Sequence, residues 1–217
     1  DYQHTEFEGA EVGTIFKSKG YEARIDVAHH KLGPLEGAVG LQTLDFDFSA
    51  LGAEAFLPDT TTRDNAVFIY EQLKLAGVTF DFGLRYDNTK VASSENERFG
   101  PGLARTFNTT SGSIGMLLPV VGDYAVAASV VYTERPPNYQ ELFANGAHVA
   151  TGLFEVGDAL LAPEKSVGFD IALRKRGQGW TGSLGYFYNR FDDVWRCVDA
   201  LHAELGCAVA DLRAINR

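Results

Sequence analysis

The segment VTFDFGLRYD, residues 78–87, alternates apolar and polar residues along its whole length, and this alternation decides the fold class. A period of two indicates a β-strand whose two faces meet different surroundings. The polar face mixes Thr, Asp, Gly and Arg, a composition that suits a wide lumen better than a packed core. The apolar face consists of Val78, Phe80, Phe82, Leu84 and Tyr86.

The same period recurs along most of the chain and predicts long strands. YEARIDVAHH (21–30), DYAVAASVVYTE (123–134) and SVGFDIALRKR (166–176) all alternate in this way. The predicted strands run for about 11 to 16 residues, whereas about five or six are usual and about 9 to 11 cross the hydrocarbon of a membrane. We predict strands at approximately 14–30, 35–48, 62–75, 78–91, 106–118, 123–134, 164–176 and 179–194, with a ninth that begins near 208.

The connections between these strands alternate between short and long. Short turns on one side and long loops on the other are typical of an outer-membrane barrel, as are aromatic residues near the strand ends. No run of 18 apolar residues occurs, so the sequence predicts no transmembrane helix. We therefore predict an all-β fold, an antiparallel transmembrane β-barrel segment of about eight or nine strands. The short connections are 31–36, 75–77, 119–123 and 176–179, and the long ones are 45–62, about 92–106, the polar opening stretch and the cysteine-bearing segment 196–209.

Charge and motif content exclude several classes of function. The chain has 217 residues and a net charge of −10, which argues against a nucleic-acid partner because phosphate binding requires clustered Lys and Arg. No H-E-x-x-H, G-x-S-x-G or C-x-x-C motif occurs, so we expect no enzymatic activity. The alternative is a two-carboxylate hydrolase built on a barrel, because Asp and Glu are plentiful. The acidity is compatible with a cationic ligand, and equally with a surface that is acidic only for solubility.

The two cysteines, Cys197 and Cys207, are separated by nine residues. This spacing suits a disulfide that closes a loop, whereas a zinc-binding pair is usually closer in sequence. A disulfide implies an oxidising compartment such as a periplasm or a cell surface. Two reduced, unrelated cysteines are the alternative.

The segment 134–166 carries Glu134, Arg135 and Pro137, followed by the runs ELFANG, HVATG, FEVGD and PEKS. Together with the strand that follows, these motifs resemble the TonB-dependent outer-membrane receptors. Within that family the segment is most similar to the branch associated with zinc uptake. The stretches HTEFEGAEVGTIFKSKGYEARIDVAHH (4–30) and DFSALGAEAFLPDTTT (47–62) resemble the same branch, so the resemblance covers most of the chain.

The resemblance implies structural roles for most of the motif residues. Pro163 sets the entry into the next strand, and Glu164 and Lys165 pair with each other or face the lumen. Arg135, which two prolines follow, ends the preceding strand rigidly. After the Gly-Asp of FEVGD this chain has Ala-Leu-Leu, where relatives often carry proline and a polar residue, and the change adds apolar character to the loop. The residues given a structural role are Glu134, Arg135, Pro137, Glu141, Leu142, Phe143, Pro163, Glu164, Lys165 and Ser166.

The resemblance also implies an architecture and partners. Members of the family are barrels of about 22 strands, closed inside by an N-terminal plug domain and energised through TonB. Residues 1–217 are then expected to form part of the barrel domain, and the plug domain, its TonB box and the C-terminal strands are absent from this sequence. The expected partner is the TonB energy-transducing complex. The expected location is the Gram-negative outer membrane, with its lipid and lipopolysaccharide.

Candidate ligand-binding residues lie in the predicted loops. Imidazole with carboxylate suits Zn²⁺ or a similar borderline cation, and period-two spacing places His4, Glu6 and Glu8 on one side of an extended chain. The alternative is a solvated acidic loop with incidental histidines. For His29 and His30 we expect an interfacial role at a strand end. We predict His148, Glu155 and Asp158 as ligand-binding residues, and His4, Glu6, Glu8 and His202 as metal ligands.

These observations predict a fragment of a receptor that takes up a scarce metal ion or metal complex by energy-coupled transport. The transported ligand is expected to be zinc, siderophore-bound iron or haem, with no resident cofactor. One alternative is a passive porin-like or adhesin barrel, which an open lumen and ligand-independent conductance would favour. Another is a soluble secreted β-sandwich, which would partition into water without detergent.

Overall fold

The structure is a computed structural model that describes residues 1–8, 11–52, 55–148, 153–177, 179–192, 195–199 and 207–211. Nine antiparallel strands form one sheet, in which each strand pairs with its neighbours in chain order. The strands of this main sheet are β1 (Tyr2–Glu8), β2 (Glu11–Leu32), β3 (Leu35–Leu51), β4 (Thr60–Leu75), β5 (Val78–Ser93), β6 (Ala104–Pro119), β7 (Tyr124–Arg135), β10 (Glu164–Lys175) and β11 (Gly182–Asp192).

The two ends of the main sheet differ in how its strands are connected. At the short-turn end, β4 and β5 are joined by Ala76 and Gly77, whose φ angles of 50° and 83° are those of a type I′ turn. Gly33, with φ 67°, allows a similarly tight turn between β2 and β3. At the opposite, long-loop end, β7 and β10 are joined by helix α1 (Tyr139–Phe143) and the hairpin β8 (Asn145–His148) and β9 (Leu153–Val156).

The predicted all-β, antiparallel fold and its eight long strands are confirmed. Several strands extend further toward the long-loop end than the alternation indicated. β3 continues to Leu51 and β4 begins at Thr60, so much of the predicted loop 45–62 is strand. The ladder of backbone hydrogen bonds continues there although the apolar alternation stops, because pairing needs only a neighbouring strand.

One prediction about the ends of the chain is wrong, and another is confirmed in position only. The opening stretch, which we expected to be a polar loop, is strand β1, and it pairs with β2 from Tyr2↔Ser18 to Glu8↔Glu11. The strand expected near 208 is β13 (Cys207–Asp211), but it does not join the main sheet. It pairs with β12 (Trp195–Asp199) and β9 in a separate four-stranded sheet in the order β12-β13-β9-β8. Such non-local pairing leaves no trace in local periodicity.

The register gives the main sheet two chemically different faces. Val27, Val39, Ile69 and Leu84 adjoin one another across β2 to β5, and all four remain 42–60% exposed. We call this side the apolar face, and such a large exposed apolar surface is typical of contact with lipid. The other side, the polar face, carries Asp26, Gly40, Phe68 and Arg85 as successive register partners. No helix in the described part of the chain is long and apolar enough to cross a membrane.

Candidate functional site

The segment between β7 and β10 packs onto the polar face at the long-loop end. Leu142 and Phe143 of α1 contact Val91 of β5 and Phe107 of β6, and Leu161 completes the cluster. All five side chains are nearly inaccessible to solvent, with 1–8% exposure. Packing of this kind is absent from the apolar rows described above, so the tertiary core of the described chain lies where the loop covers the strands.

The Ala-Leu-Leu departure in the loop supplies part of this core. Leu161 is 1% exposed, and Ala159 packs against the same cluster. Burying a leucine side chain contributes about 2 kcal/mol of transfer free energy. The apolar residues therefore anchor the loop to the strands, while Leu160 remains 85% exposed.

Arg135 joins three segments at the end of β7. Its Nη1 and Nη2 donate to the two carboxylate oxygens of Glu141 at 3.0 and 2.8 Å, and its Nε donates to Glu164 at 2.6 Å. Hydrogen bonding to Glu141, with a further contribution from Glu164, raises the pKa of the Arg135 guanidinium. We call these three residues the arginine clasp, because they hold the end of β7, helix α1 and the start of β10 together.

Helix α1 begins with a capping box. The Asn138 side chain accepts a hydrogen bond from the Glu141 backbone N–H, and the Glu141 carboxylate accepts one from the Asn138 N–H, both at 2.8 Å. Pro137, just before the cap, is buried. Glu141 therefore serves both the clasp and the cap, which explains physically why a carboxylate follows the Arg-Pro-Pro run.

Glu134 completes the ladder where β6 and β7 separate. The register of these strands ends at Gly112↔Tyr132. Beyond this point the Glu134 carboxylate accepts hydrogen bonds from the Thr110 backbone N–H at 2.8 Å and from the Tyr132 hydroxyl at 2.5 Å. Its other neighbour is Lys165, at 3.7 Å. The side chain thus satisfies a backbone donor that would otherwise lose its partner.

Two of the predicted ligand-binding residues meet in the hairpin. His148 Nδ1 lies 2.7 Å from Glu155 Oε1, and Gln140 of α1 donates to the other carboxylate oxygen, Oε2, at 2.7 Å. The His148 ring stacks on Phe56, with centroids 4.3 Å apart and planes 16° apart. The side chains of His148 and Glu155 are 21% and 19% exposed. The structure therefore presents an oriented, partly shielded imidazole–carboxylate pair.

Aromatic rings connect this pair to the strands. Phe56 contacts Phe16 of β2, which in turn stacks with His4 of β1 at a centroid distance of 6.4 Å. Tyr139 stacks on Phe48 at 4.8 Å. Burial raises the pKa of the Tyr139 hydroxyl. His4 and His148 thus lie on one aromatic cluster, but two phenylalanine rings separate them along it.

Two further predicted ligands, Asp158 and Glu6, have other surroundings. Asp158 stabilises a turn instead, since its carboxylate accepts from the Leu160 N–H at 2.7 Å. Glu6 lies opposite Thr14, next to a register shift of β1. His202 and the Glu8 side chain lie outside the described residues. No group of three or more metal-binding side chains occurs in the described ranges, and the metal site stays a prediction.

The disulfide also stays a prediction, because the side chains of Cys197 and Cys207 lie outside the described parts. The backbone register of β12 and β13 pairs Cys207 with Asp199 and Cys197 with Val209.

The polar face carries a charged network that the alternation of residues did not predict. Arg24 lies 4.2 Å from the centre of the Phe68 ring, and Arg85 pairs with Asp87 at 2.6 Å. A side chain at Gly40 would meet that ring, since its Cβ would lie 2.2 Å from a ring carbon. Alternation alone placed these residues on one face, but it gave no sign of which of them touch. The partners Phe56 and Gln140 were missed for the same reason.

Comparison with known proteins gives the family and the fold. The family described as TonB dependent receptor-like, beta-barrel, matches residues 2–195. The hemophore receptor HasR of Serratia marcescens is 16% identical, with a TM-score of 0.67 over 91% of this chain and 37% of its own length. The copper transporter OprC is 15% identical, with a TM-score of 0.70 over 84% of this chain and 31% of its own length. The ferric citrate transporter FecA is 18% identical, with a TM-score of 0.61 over 82% of this chain and 28% of its own length. The chain thus spans only 28–37% of these proteins, and at such identities the likeness shows the fold alone.

Proposed function

Since this chain belongs to the TonB-dependent receptor β-barrel family, we propose that it is part of an outer-membrane receptor that takes up a metal ion or metal complex. The apolar face would contact lipid and the polar face would line the lumen. Transport would be driven through the TonB complex, which acts on a plug domain in another part of the receptor. The proposed location is the outer membrane of a Gram-negative bacterium.

The observation that carries this proposal is the built cluster at the long-loop end of the polar face. There the His148–Glu155 pair is held at 2.7 Å, supported by Gln140 and stacked on Phe56. Imidazole and carboxylate are the side chains that bind Zn²⁺ and similar cations, and an aromatic surround also suits an organic chelate. The three structural relatives are named for heme, copper and ferric citrate, all of which contain a metal. We therefore propose Zn²⁺, siderophore-bound iron or haem as the ligand.

Binding to the full-length receptor tests the proposal. Purified receptor in detergent would be titrated with Zn²⁺, ferric citrate and haem by calorimetry, and cells with and without TonB would be compared for uptake of the probe that binds. We expect saturable binding of one probe and uptake only when TonB is present. Binding of none of the three, together with steady ligand-independent conductance in planar bilayers, would overturn the proposal in favour of a passive porin-like barrel.

A further inference from the structure

Two carboxyl groups share one guanidinium on the polar face, toward the long-loop end. Arg85 Nη2 lies 2.6 Å from Asp87 Oδ1 but 3.8 Å from Asp64 Oδ2, so the arginine is committed to Asp87. Asp64 accepts a hydrogen bond from the Thr89 hydroxyl instead, at 2.5 Å. Asp87 is also a hydrogen-bond partner of Asp64. Because two adjacent carboxylates have one close cation, one negative charge is left uncompensated, and such a pair favours a shared proton.

The carboxyl pair is largely shielded from water. The side chains of Asp64 and Asp87 are 17% and 16% exposed, and Thr89 is buried. The outward-facing neighbours Arg63 and Asn65 are polar and exposed, so this part of β4 lies beyond the apolar rows of the sheet. Burial, with a further contribution from Asp87, raises the pKa of the Asp64 carboxyl. The folded chain therefore holds a proton at Asp64 more readily than the unfolded chain does.

The other charged and titratable groups around the pair have partners of their own. The nearest side chains of β3, Gln42 and Leu44, are uncharged. On β2, Arg24 pairs with Asp26 and Glu22 accepts from Gln42; on β6, Arg105 donates to the Leu161 carbonyl; on α1, Glu141 belongs to the arginine clasp and Tyr139 stacks on Phe48. Arg85 is the one cation that forms an ion pair with either carboxylate in the described part of the chain.

Thr89 connects the carboxyl pair to the hydrophobic cluster under the loop. Its register partners are Asp64 on β4 and Phe107 on β6. Phe107 is one of the buried residues on which α1 packs, and Val91, two residues farther along β5, belongs to the same cluster. The charge state of Asp64 therefore acts directly beside the surface that anchors the helix.

We propose that Asp64 and Asp87 share a proton and form a pH-sensitive latch that holds helix α1 more tightly when the proton is present. In that state the Asp64 carboxyl O–H donates to an Asp87 carboxylate oxygen, and Asp64 still accepts from Thr89. When the proton leaves to the solvent, the two carboxylates repel each other and water enters beside Thr89. The packing under α1 then loosens. The latch does not depend on the transported ligand, so failure of metal binding would leave it standing.

The effect of the latch has a definite direction with pH. Because the folded state raises the pKa of Asp64, the stabilisation is complete below the unfolded pKa of about 3.9 and is lost as pH rises through the folded pKa. A carboxylate held by an arginine alone has a lowered pKa and shows the opposite dependence. The direction of the change therefore distinguishes a shared proton from a simple ion pair.

Hydrogen exchange in the full-length receptor, purified in detergent, tests the latch between about pH 5 and about pH 8. Rates in peptides that cover α1 and β8 would be corrected for the intrinsic pH dependence of amide exchange. We expect their protection to fall about fivefold over this range, a modest coupling between two sites. Asp64→Asn keeps an uncharged side chain at every pH, so it should retain high protection and remove the pH dependence. Asp87→Asn should remove it as well, and serves as the second variant if Asp64→Asn does not fold.

Asp81→Asn is the matched control, because Asp81 lies on the same strand and face as Asp87 but accepts its hydrogen bonds from the neutral Tyr70 and Gln72. It should keep the pH dependence of the parent. Infrared spectroscopy provides a second measurement, since the C=O band of protonated carboxyl groups at mildly acidic pH should be weaker in Asp64→Asn than in the parent. Constant protection in the parent, a pH dependence that survives Asp64→Asn, its loss in Asp81→Asn or an unchanged infrared band would each overturn the proposal. Circular dichroism verifies that each variant keeps its strands.

Discussion

Two histidine–glutamate pairs occur in this molecule, and their surroundings differ more than their geometry. His148 and Glu155 lie 2.7 Å apart on the hairpin at the long-loop end, whereas His29 and Glu71 lie 3.0 Å apart on the apolar face near the short-turn end. The exposures of the paired side chains are similar, 21% and 19% in the first pair against 30% and 20% in the second. The same chemistry therefore occurs in two places with comparable access.

The difference lies in what holds each pair. His29 and Glu71 flank Gly37 in the strand register. A Cβ at position 37 would lie 2.5 Å from Glu71 Oε2, so the pair can form because Gly37 has no side chain. The His148 pair depends on a helix, a hairpin and Phe56 from a distant loop. Backbone ladders hold the first pair and tertiary packing holds the second, so the two should respond differently to substitution.

The largest expected effect comes from the core beneath the hairpin segment. Leu161→Ala should destabilise the packed loop by about 2–5 kcal/mol, because Leu161 is fully buried and a cavity would remain. Hydrogen exchange should then accelerate in peptides that cover α1 and β8 and stay unchanged around His29. Leu75→Ala, at a 57% exposed leucine of the short-turn end, should cost less than about 1 kcal/mol. Equal acceleration of hydrogen exchange around His148 and His29 would contradict the account in which tertiary packing holds the first pair and the backbone ladder holds the second.

The arginine clasp should matter less, because it is partly open to water. Arg135→Gln removes charge-assisted hydrogen bonds to Glu141 and Glu164, but the arginine side chain is 43% exposed, so we expect a loss of about 1 kcal/mol in loop stability. Arg63→Gln is the matched control, with one partner and 63% exposure, and should change stability by less than about 0.5 kcal/mol. Limited proteolysis of the loop would compare the two. A larger effect for Arg63 would show that the clasp does not hold the loop.

Alkaline pH should loosen the long-loop end through Tyr139. Burial raises the pKa of its hydroxyl, so the folded state favours the neutral phenol. The resulting stability is complete below the unfolded pKa of about 10 and is lost as pH rises through the higher folded pKa. Near-ultraviolet circular dichroism as a function of pH should show this loss, and Tyr139→Phe should reduce it. The exposed Tyr2→Phe control should behave like the parent, and an unchanged profile for Tyr139→Phe would refute the assignment.

The smallest expected effect is a gain in folding stability from a substitution at the short-turn end. Ala76 has a left-handed φ of 50°, which costs a residue with a Cβ about 1 kcal/mol. Ala76→Asn should recover about 0.5 kcal/mol, because asparagine tolerates this conformation better. Denaturant titration would measure the gain, which should leave hydrogen exchange at the hairpin unchanged. Destabilisation would mean that the turn relaxes away from type I′.

The strands of the main sheet could be predicted because period two survives wherever the two faces of a strand meet different surroundings. β1 could not, since its sequence YQHTEFE has no consistent apolar face. The position of β13 could be predicted, but its pairing could not, because β13 pairs with β12 and with β9, which lies far from it in sequence. Helix α1 did leave a signal, as Asn138 and Glu141 have the spacing of a capping box.

The candidate site was predictable only in part, for a similar physical reason. His148 and Glu155 are close in sequence, and a hairpin brings them together. Phe56 and Gln140 come from other segments, and only the packing of α1 and the loop at 55–59 places them beside the pair. The residue types indicated the chemistry of the candidate site, whereas the positions of its residues relative to one another depended on the fold.

The most direct test compares the two histidine pairs as binding sites in the full-length receptor. His148→Ala and His29→Ala would be titrated with the metal probe that the parent receptor binds, each variant first shown to retain its strands by circular dichroism. We expect His148→Ala to weaken binding by about tenfold or more and His29→Ala to leave it within about twofold. Equal affinities for the two variants, or a loss confined to His29→Ala, would contradict the placement of the ligand at the long-loop end.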